Sequence, residues 1–231
     1  MPKTSKHLLK RKSATTLIME SLRQRISNRE FPEPEALRQE SLAQEYGVSV
    51  APVREALARL EAEGILTLNR HRGYVVKTLS LDDIRQLFEI RALLETELLR
   101  FSLSNMDAET LAEAEQIEAK MEKIAQTEKQ SRDWTELNWR FHSTLYRPAK
   151  KQKYWEIADN IYANTNRYVH MQLLISHSVV LPKSVREHQK ILEYCRQGCA
   201  TEACELMRLH IMTAADDLIG FMEKEVGSDH G

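Results

Sequence analysis

From residue 80 onward the apolar residues of this sequence recur at helical spacing, and no convincing strand pattern interrupts them. Seven Gly and six Pro among 231 residues suit long helices better than a turn-rich β-sandwich. Ser80 and Asp83 have the form of a capping box, which predicts the start of the first helix. We expect residues 79–231 to form an all-helical bundle. The periodicity predicts about six helices, at 80–103, 107–128, 133–147, 151–174, 182–197 and 201–226.

Residues 14–78 show a different order of elements, with helices first and strands last. Gly47 suits the end of a helix, Ser49 suits the start of the next, and Pro52 falls in its tolerant first turn. The pattern predicts helices at about 14–29, 39–46 and 50–63, and strands at 65–68 and 74–76. Such a layout is that of a winged helix–turn–helix. The expected fold class is mainly α, with this domain preceding the helical bundle.

The charge of the chain is divided unevenly. Residues 1–78 hold 14 Lys and Arg against 9 Asp and Glu, a net charge of +5, while the remainder has a net charge of −6. The asymmetry suggests a basic module for a polyanion joined to an acidic partner domain. Residues 1–13 contain five cations and no acid. We expect them to form a basic, flexible tail, with a phosphate-contacting arm as the alternative.

The composition argues against a membrane-spanning or a secreted protein. No stretch approaches the ~20 apolar residues that a membrane span needs, and the first residues have no apolar core of a signal peptide. The three cysteines, Cys195, Cys199 and Cys204, are odd in number and suit reduced thiols. They are interpreted as small hydrophobic residues, with a redox or soft-metal site as the alternative. These features predict a soluble, cytoplasmic protein without a membrane partner.

The predicted DNA-reading segment is the turn at residues 47–49 with the helix that follows it. A helix–turn–helix places the first turn of its second helix in the major groove, so Arg54 can bond a guanine edge or a phosphate. The hairpin tip is placed to approach the minor groove or the backbone. The residues expected at double-stranded DNA are Arg38, Ser49, Val50, Ala51, Pro52, Arg54, Arg70, His71, Arg72 and Gly73.

This region resembles the GntR family of bacterial transcription regulators. The family positions present are Leu42, Ala43, Val48, Ser49, Pro52, Val53, Arg54, Glu55, Ala56, Leu57, Leu60, Gly64, Ile65, Gly73, Tyr74 and Val76. The resemblance implies a regulator that acts as a homodimer on a pseudo-palindromic operator, with recognition helices about 34–36 Å apart. Similar family members carry Arg where this chain has Val50 and often a basic residue where it has Glu40. We therefore expect operator recognition to depend more on Arg54, the hairpin tip and DNA shape.

Residues 80–226 resemble the FCD ligand-binding domain of the FadR-like branch of that family, and the helix count is closest to its VanR-like subgroup. The matching positions are Arg91, Glu95, Asn138, Phe141, His142, Glu187, His188 and His210. The resemblance implies that His142, His188 and His210, with residue 138, bind a divalent metal ion such as zinc, nickel or manganese. The family usually has Asp at residue 138, whereas Asn138 offers a neutral oxygen.

The spacing of the histidines supports an inward position. Asn138 and His142 are four residues apart and share a helix face. His188 and His210 each have apolar residues three and four positions away, so both are expected to face the core. Three inward histidines on three helices suit a metal site, because bundle cores build such sites from facing helices. The alternative is a hydrogen-bonded polar core without metal.

A small carboxylate effector is the expected ligand of the helical domain. Three histidines and Asn138 leave the charge of a bound ion uncompensated, which favours an anion in its open positions; alternatively, loss of the acid empties the metal site. Arg91 is a candidate anchor because a guanidinium grips a carboxylate with two bonds. Its alternative role is a salt bridge to Glu95. Arg167 is a weaker candidate for the same effector-binding role.

Two other functions compete with an effector-responsive regulator. A helical metal-dependent hydrolase could use the three histidines, since a metal with an open position activates water. However, Glu187 points about 100° away from His188 on a helix and serves as a base only if it reaches the site. The second alternative is an effector-free architectural DNA-binding protein, which gives no reason to bury three histidines. We therefore predict a transcription regulator rather than an enzyme.

Overall fold

The computed structural model describes residues 13–27, 30–31, 36–69, 73–126 and 131–228. The chain divides into two compact units, of which the first ends at Lys77 and the second begins at Thr78. Apart from Ser13, the expected N-terminal tail lies outside the described residues, and so does the hairpin tip at residues 70–72. In the part of the chain that is described, no helix is long and apolar enough to cross a membrane.

The first unit contains three helices and a small antiparallel sheet. The helices are α1 (Ala14–Ser27), α2 (Gln39–Tyr46) and α3 (Val50–Ala62), and the strands are β1 (Ala36–Leu37), β2 (Leu66–Asn69) and β3 (Gly73–Val76). The strand order is β1-β3-β2, with Ala36 opposite Val75 and Thr67 opposite Val75 on the other side. The sequence predicted the hairpin of β2 and β3 but not β1. Two residues are too few to show an alternating pattern.

Helix α3 is held by the face that the sequence predicted to be buried. Val53, Leu57 and Leu60 are fully buried, and they join one apolar core with α1, α2 and the sheet. Gly47 ends α2 with φ +65°, a conformation that glycine adopts without strain. Ser49 occupies the position before α3 in extended conformation, but its side chain makes no capping hydrogen bond. The turn therefore depends on Gly47 rather than on Ser49.

The second unit is built from long helices. They are α4 (Leu81–Leu103), α5 (Ala108–Ala125), α6 (Ser131–Tyr146), α7 (Gln152–Gln197) and α8 (Ala200–Ser228), with a 3-10 turn at Arg147–Ala149. Helix α4 begins with the predicted capping box: the Ser80 hydroxyl accepts from the Asp83 N–H, and the Asp83 carboxylate accepts from the Ser80 N–H. The helices pack around one apolar core.

The predicted separation of the fourth and fifth helices of the bundle is corrected by the structure. The stretches expected at 151–174 and 182–197 form the single helix α7, which leaves helical geometry only at Ser176 (φ −116°, ψ 18°). Pro182 lies inside this helix. Proline removes one backbone donor and usually kinks a helix, which is why the sequence suggested a break. The observed result is one kinked helix of 46 residues.

Candidate functional site

Three histidine side chains meet inside the second unit. His142 lies on α6, His188 on α7 and His210 on α8, and all three are buried. The Nε2 atom of His188 is 3.4 Å from Nε2 of His142 and 3.2 Å from Nε2 of His210. The predicted ligands are thus brought together from three helices, with their Nε2 atoms facing one another.

Glu95 of α4 and Tyr146 of α6 orient the ring of His142. One oxygen of Glu95 lies 2.9 Å from His142 Nδ1 and accepts a hydrogen bond from the Tyr146 hydroxyl, also at 2.9 Å. Burial alone raises the pKa of Glu95, but Arg91 and His142 outweigh it and lower that pKa to about 2. A carboxylate only accepts hydrogen bonds, so Nδ1 of His142 carries the proton. The lone pair of His142 Nε2 therefore faces the other two histidines.

Glu187 of α7 plays the corresponding part for His210. Its Oε2 atom lies 2.6 Å from Nδ1 of His210, which places the proton on Nδ1 and the lone pair on Nε2. Glu187 is the immediate neighbour of His188 and points away from it, as helix geometry requires. Nothing in the spacing around Glu187 indicates that His210 on α8 turns its Nδ1 atom toward this carboxylate. Glu187 thus reaches the histidine cluster by holding His210.

His188 is packed between aromatic rings. Trp134 stacks on its ring at a centroid distance of 6.3 Å, and Phe141 lies at 4.5 Å. Burial, followed by the charges of His210 and His142, holds the pKa of His188 well below its usual value. Burial also lowers the pKa of His142, although Glu95 opposes that change. Both imidazoles are therefore neutral at pH 7, and neutral imidazole is the form that binds a metal.

The three Nε2 atoms of the histidine cluster have the spacing and the chemistry that a divalent metal ion needs. Two nitrogens, each about 2.0–2.1 Å from one tetrahedral zinc ion, lie about 3.4 Å apart, close to the Nε2 separations of the cluster. Metal-binding histidines usually donate their other N–H to a carboxylate, as His142 and His210 do here. Nδ1 of His188 is buried without a hydrogen-bond partner among the described residues. A water molecule beside this atom would complete its hydrogen bonding.

A cavity of about 50 Å³ adjoins the histidine cluster. Arg91, Asn138, Glu187 and His210 are among its lining residues, together with residues of α7 on both sides of the kink. Arg91 is buried, and its Nε donates to Glu95 at 2.7 Å, so the salt bridge that the sequence left as its alternative role is present. Arg91 is nevertheless one of the residues that line the cavity. Asn138 is half-buried there, and its side chain bonds the Tyr162 hydroxyl.

Arg167 is not brought to this cavity. It is buried, and its guanidinium donates to the hydroxyl of its neighbour Tyr168 at 2.8 Å. That hydroxyl also accepts the backbone N–H of Leu79 at 2.7 Å. The residue type of Arg167 suggested a contact with a carboxylate, but it carries no information on the direction in which the side chain points. Its predicted contact with an effector has no counterpart among the described cavity-lining residues.

The first unit presents the predicted DNA-binding residues at its surface. Ser49, Val50, Ala51 and Arg54 are exposed at the start of α3, and Pro52 is half-buried. Arg38 is exposed just before α2, and Gly73 begins β3 with φ +96°. The tip residues Arg70, His71 and Arg72 lie outside the described residues. The start of α3 is therefore free of the apolar core and accessible for a groove of DNA.

Two family patterns match this chain over both units. The FCD domain matches residues 86–213, and the family described as bacterial regulatory proteins, gntR family, matches residues 15–76. The chain belongs to the GntR family. This membership confirms the mainly α fold with an N-terminal DNA-binding domain and a helical FCD domain.

Relatives of this GntR-family chain are transcription regulators. It is 25% identical over 189 residues to the HTH-type transcriptional repressor GlaR of Escherichia coli (strain K12), covering 79% of this chain and 86% of GlaR. It is 31% identical over 179 residues to the uncharacterized HTH-type transcriptional regulator BphR of Paraburkholderia xenovorans (strain LB400). The match covers 74% of this chain and 71% of BphR. The solved structure of E. coli McbR/YncC shares the fold, with a TM-score of 0.75 at 19% identity over 94% of this chain and 100% of that one. The GntR-family chain is therefore a DNA-binding transcription regulator and not an enzyme.

The three cysteines of this GntR-family regulator are free thiols. Cys195 and Cys204 are buried, while Cys199 is partly exposed. Burial raises the pKa of Cys195 to about 12 and also raises that of Cys204. A thiol that stays protonated is a poor nucleophile and a poor metal ligand. The two buried thiols thus behave as small hydrophobic residues, which was the first interpretation of the sequence.

Proposed function

We propose that this GntR-family regulator binds a divalent metal ion through His142, His188 and His210, and that a small carboxylate effector in the adjoining cavity modulates operator binding. The single observation that carries the proposal is the convergence of three buried Nε2 atoms. Zinc, nickel and manganese are the candidate ions, because imidazole suits first-row divalent metals. The metal supplies a positive centre at which an anion can bind.

The charge of the donor set supports an anionic effector. His142 and His188 are neutral, and the amide of Asn138 carries no charge. The carboxylates nearest the histidines, Glu95 and Glu187, accept from their Nδ1 atoms instead of facing the Nε2 atoms. A bound ion thus retains its charge toward the cavity. A carboxylate effector would balance this charge and meet the guanidinium of Arg91.

The size of the cavity bears on how an effector enters. A volume of about 50 Å³ holds a few water molecules, and a ligand pocket usually measures about 300–1,000 Å³. Gln172 and Leu173 line the cavity before the kink of α7, and Val180 and Lys183 line it after the kink. We propose that entry of an effector widens the cavity by moving these two segments of α7 apart at Ser176.

Metal analysis of the protein purified without a metal-affinity tag tests the first half of the proposal. We expect about one divalent ion per chain in the wild type and none in His142→Ala. His170→Ala is the matched control, because His170 is a partly exposed histidine of α7 outside the cluster. The absence of metal from the wild type, with no binding below millimolar when zinc, nickel or manganese is added, would overturn the metal site.

A panel of small carboxylic acids tests the second half. The operator is a duplex selected from a random pool by the wild-type protein. We expect at least one acid to raise Tm and to change operator affinity tenfold or more, with the effect lost in Arg91→Lys, which keeps the charge but not the two-pronged geometry. A panel in which no acid changes either quantity contradicts the effector.

We also propose that the regulator is a homodimer, as a pseudo-palindromic operator requires. Ile90 and Leu93 of α4 are exposed on one face, and so are Tyr154 and Ile157 of α7, a helix that packs against α4. Exposed apolar residues often mark association surfaces when they form one patch, and we propose that these four residues do so. We expect light scattering to give about twice the chain mass of 26.8 kDa for the wild type, and the monomer mass for Leu93→Glu.

Leu209→Glu is the matched control for the dimer. Leu209 is exposed on α8 to nearly the same degree as Leu93, 59% against 64%. Introducing a charge there tests whether any exposed leucine has the same effect. A monomeric wild type, or equal dissociation of both variants, contradicts an interface on α4 and α7.

A further inference from the structure

A second concave surface of the FCD domain lies where α6 ends and α7 begins. This basic cleft has a volume of about 670 Å³, which is within the range of small-molecule sites. It differs from the histidine cavity in position and lining. Its lining residues are Leu98, Glu113, Arg140, Ser143, Thr144, Tyr146, Arg147, Lys150, Lys151, Gln152 and Trp155.

The charge of the basic cleft is opposite to that of the domain around it. Residues 79–231 have a net charge of −6, yet residues 137–155 contain five cations and no acid. Four of these cations, Arg140, Arg147, Lys150 and Lys151, line the cleft. A concave surface with several like charges raises the local concentration of oppositely charged ligands.

Only part of this positive charge is balanced by neighbouring acids. Glu113, the one acidic residue of the lining, lies 2.7 Å from Arg147 and 4.0 Å from Arg140. Asp107 lies near Arg147 as well: hydrogen bonds from Thr110 chiefly lower the pKa of Asp107, and Arg147 adds a smaller lowering. Within the described part of the chain, neither Lys150 nor Lys151 pairs with a carboxylate. The two lysines thus leave about two positive charges available to a ligand.

The backbone turns sharply at the basic cleft, where the two lysines lie between the 3-10 helix and α7. Lys150 has φ +53° and is the one described non-glycine residue in the left-handed region. This conformation turns the chain from the 3-10 helix into α7. The first turn of α7 contains no acidic residue, and Lys151 before it makes no side-chain cap. The ammonium of Lys151 lies 4.6 Å from the centroid of the Phe101 ring.

The remaining lining suits a small ligand better than an extended polymer. Ser143 and Thr144 offer hydroxyl groups, and the half-buried ring of Trp155 forms an apolar wall. A concave site with a few polar groups and an aromatic wall is typical of small-molecule binding. Tyr146 also lines the basic cleft, while its hydroxyl donates to Glu95 beside His142.

We propose that the basic cleft binds a small polyanion carrying two or more phosphate or carboxylate groups. Lys150 and Lys151 supply the unbalanced charge, and Arg140 and Arg147 supply planar donors that match these groups. This ligand is distinct from the carboxylate effector at the histidines. Because Tyr146 borders both places, the polyanion contacts a residue that holds the histidine cluster.

Calorimetric titration of the full chain with pyrophosphate, citrate and inorganic phosphate tests the proposal. We expect pyrophosphate or citrate to bind at least tenfold more tightly than phosphate, and higher salt to weaken binding. Lys150→Gln with Lys151→Gln should weaken it tenfold or more. The control combines Lys120→Gln and Lys123→Gln, two exposed lysines of α5 outside the cleft with the same charge change, and should remain within twofold of the wild type.

His142→Ala separates this proposal from the metal site. Pyrophosphate and citrate also bind metal ions, so binding that disappears in His142→Ala would belong to the histidine cluster and would overturn the basic cleft as its site. Binding that survives His142→Ala and is lost in the paired lysine variant supports it, whether or not metal is present. If that lysine variant weakens binding of non-operator duplex DNA and no small polyanion binds, the surface serves DNA and the proposal is wrong.

Discussion

His142 Nδ1 and Glu95 Oε2 lie 2.9 Å apart and join α6 to α4 inside the helical domain. The contact assigns the proton to Nδ1, because the Glu95 carboxylate can only accept it. It therefore directs the free lone pair of His142 toward His188. Arg91 holds the opposite oxygen of Glu95, so one carboxylate connects the candidate effector anchor to the candidate metal ligand.

Glu95→Gln should weaken metal binding by about 10–100-fold. The amide cannot fix the proton on Nδ1 of His142, and it leaves the guanidinium of Arg91 buried without its counter-charge. Removing one partner of a buried pair typically costs about 3–5 kcal/mol. Zinc titration by calorimetry measures the first effect, and urea denaturation of metal-free protein measures the second.

Glu97→Gln is the matched control on the same helix. Glu97 is partly exposed and lies 3.4 Å from Arg100, a surface pair. Surface ion pairs contribute about 0–1 kcal/mol to the free energy of unfolding. Glu97 makes no contact with the histidine cluster among the described residues, so this variant should retain wild-type metal affinity. Equal zinc affinity in Glu95→Gln and Glu97→Gln contradicts the role of Glu95 in orienting His142.

Tyr168→Phe should destabilise the helical domain by about 1–3 kcal/mol. The hydroxyl of Tyr168 accepts the buried backbone N–H of Leu79 and a guanidinium N–H of Arg167. Removing it leaves the buried N–H of Leu79 without this acceptor and takes one acceptor from Arg167. The measurement is the free energy of unfolding in urea, with Tyr154→Phe as control because Tyr154 is 39% exposed. A change below 0.5 kcal/mol, as expected for a surface substitution, contradicts this account.

The elements that sequence analysis placed well are those with repeated, local signals. The Ser80–Asp83 capping box and the apolar stripe of α3 are set by residues three or four apart, and the structure contains both. Strand β1 has no such signal, since it exists only through pairing with β3. The break expected between residues 174 and 182 is only a kink: α7 departs from helical geometry at Ser176, inside that interval, and continues as helix through Pro182.

In the candidate site as well, local spacing predicted some features, whereas contacts between different helices could not be predicted. Helical spacing indicated that His188 and His210 face inward, because each lies beside apolar residues, and that His142 shares a helix face with Asn138. It did not identify Glu187 as the partner of His210, since that contact joins residues on different helices. The Arg91–Glu95 pair was visible as a four-residue spacing, whereas the contact of Glu95 with His142 depends on how α4 packs against α6.

Metal-free protein should lose stability as the pH falls below about 6.5. Burial lowers the pKa of His142 and His188, so the unfolded chain takes up protons in a range where the folded chain does not. Stability therefore rises with pH through this range, by about 1.4 kcal/mol per pH unit for each such histidine. Glu95 acts at lower pH: its stabilisation is present above about 4.5 and is lost as the pH falls toward 2.

Urea denaturation in the presence of a chelator, between pH 8 and pH 5, measures this dependence. His188→Met removes one titrating group while keeping an apolar side chain against Trp134 and Phe141. The variant should show a slope about 1.4 kcal/mol per pH unit smaller than the wild type below pH 6.5. Identical slopes in the two proteins would show that His188 titrates normally and is not buried as a neutral group.

Arg54→Ala should weaken operator binding by about 1–3 kcal/mol, or roughly 5–150-fold. Arg54 is exposed in the first turns of α3, whereas Val50 in the same segment offers no hydrogen bond to a base edge. Fluorescence anisotropy with a selected operator and an unrelated duplex measures both affinity and specificity. If Arg54 contacts a base, its loss reduces the preference of the protein for the operator. If Arg54 contacts a phosphate, its loss weakens binding to both duplexes alike.

Arg59→Ala provides the control on the same helix. Arg59 is exposed near the end of α3 and pairs with Glu55, so it lies farther from the end that enters the groove. It carries the same charge change as Arg54→Ala and should alter operator affinity by less than threefold. A larger loss in Arg59→Ala than in Arg54→Ala would place the DNA at the other end of α3, and Ser49, Val50 and Ala51 would then lie outside the interface.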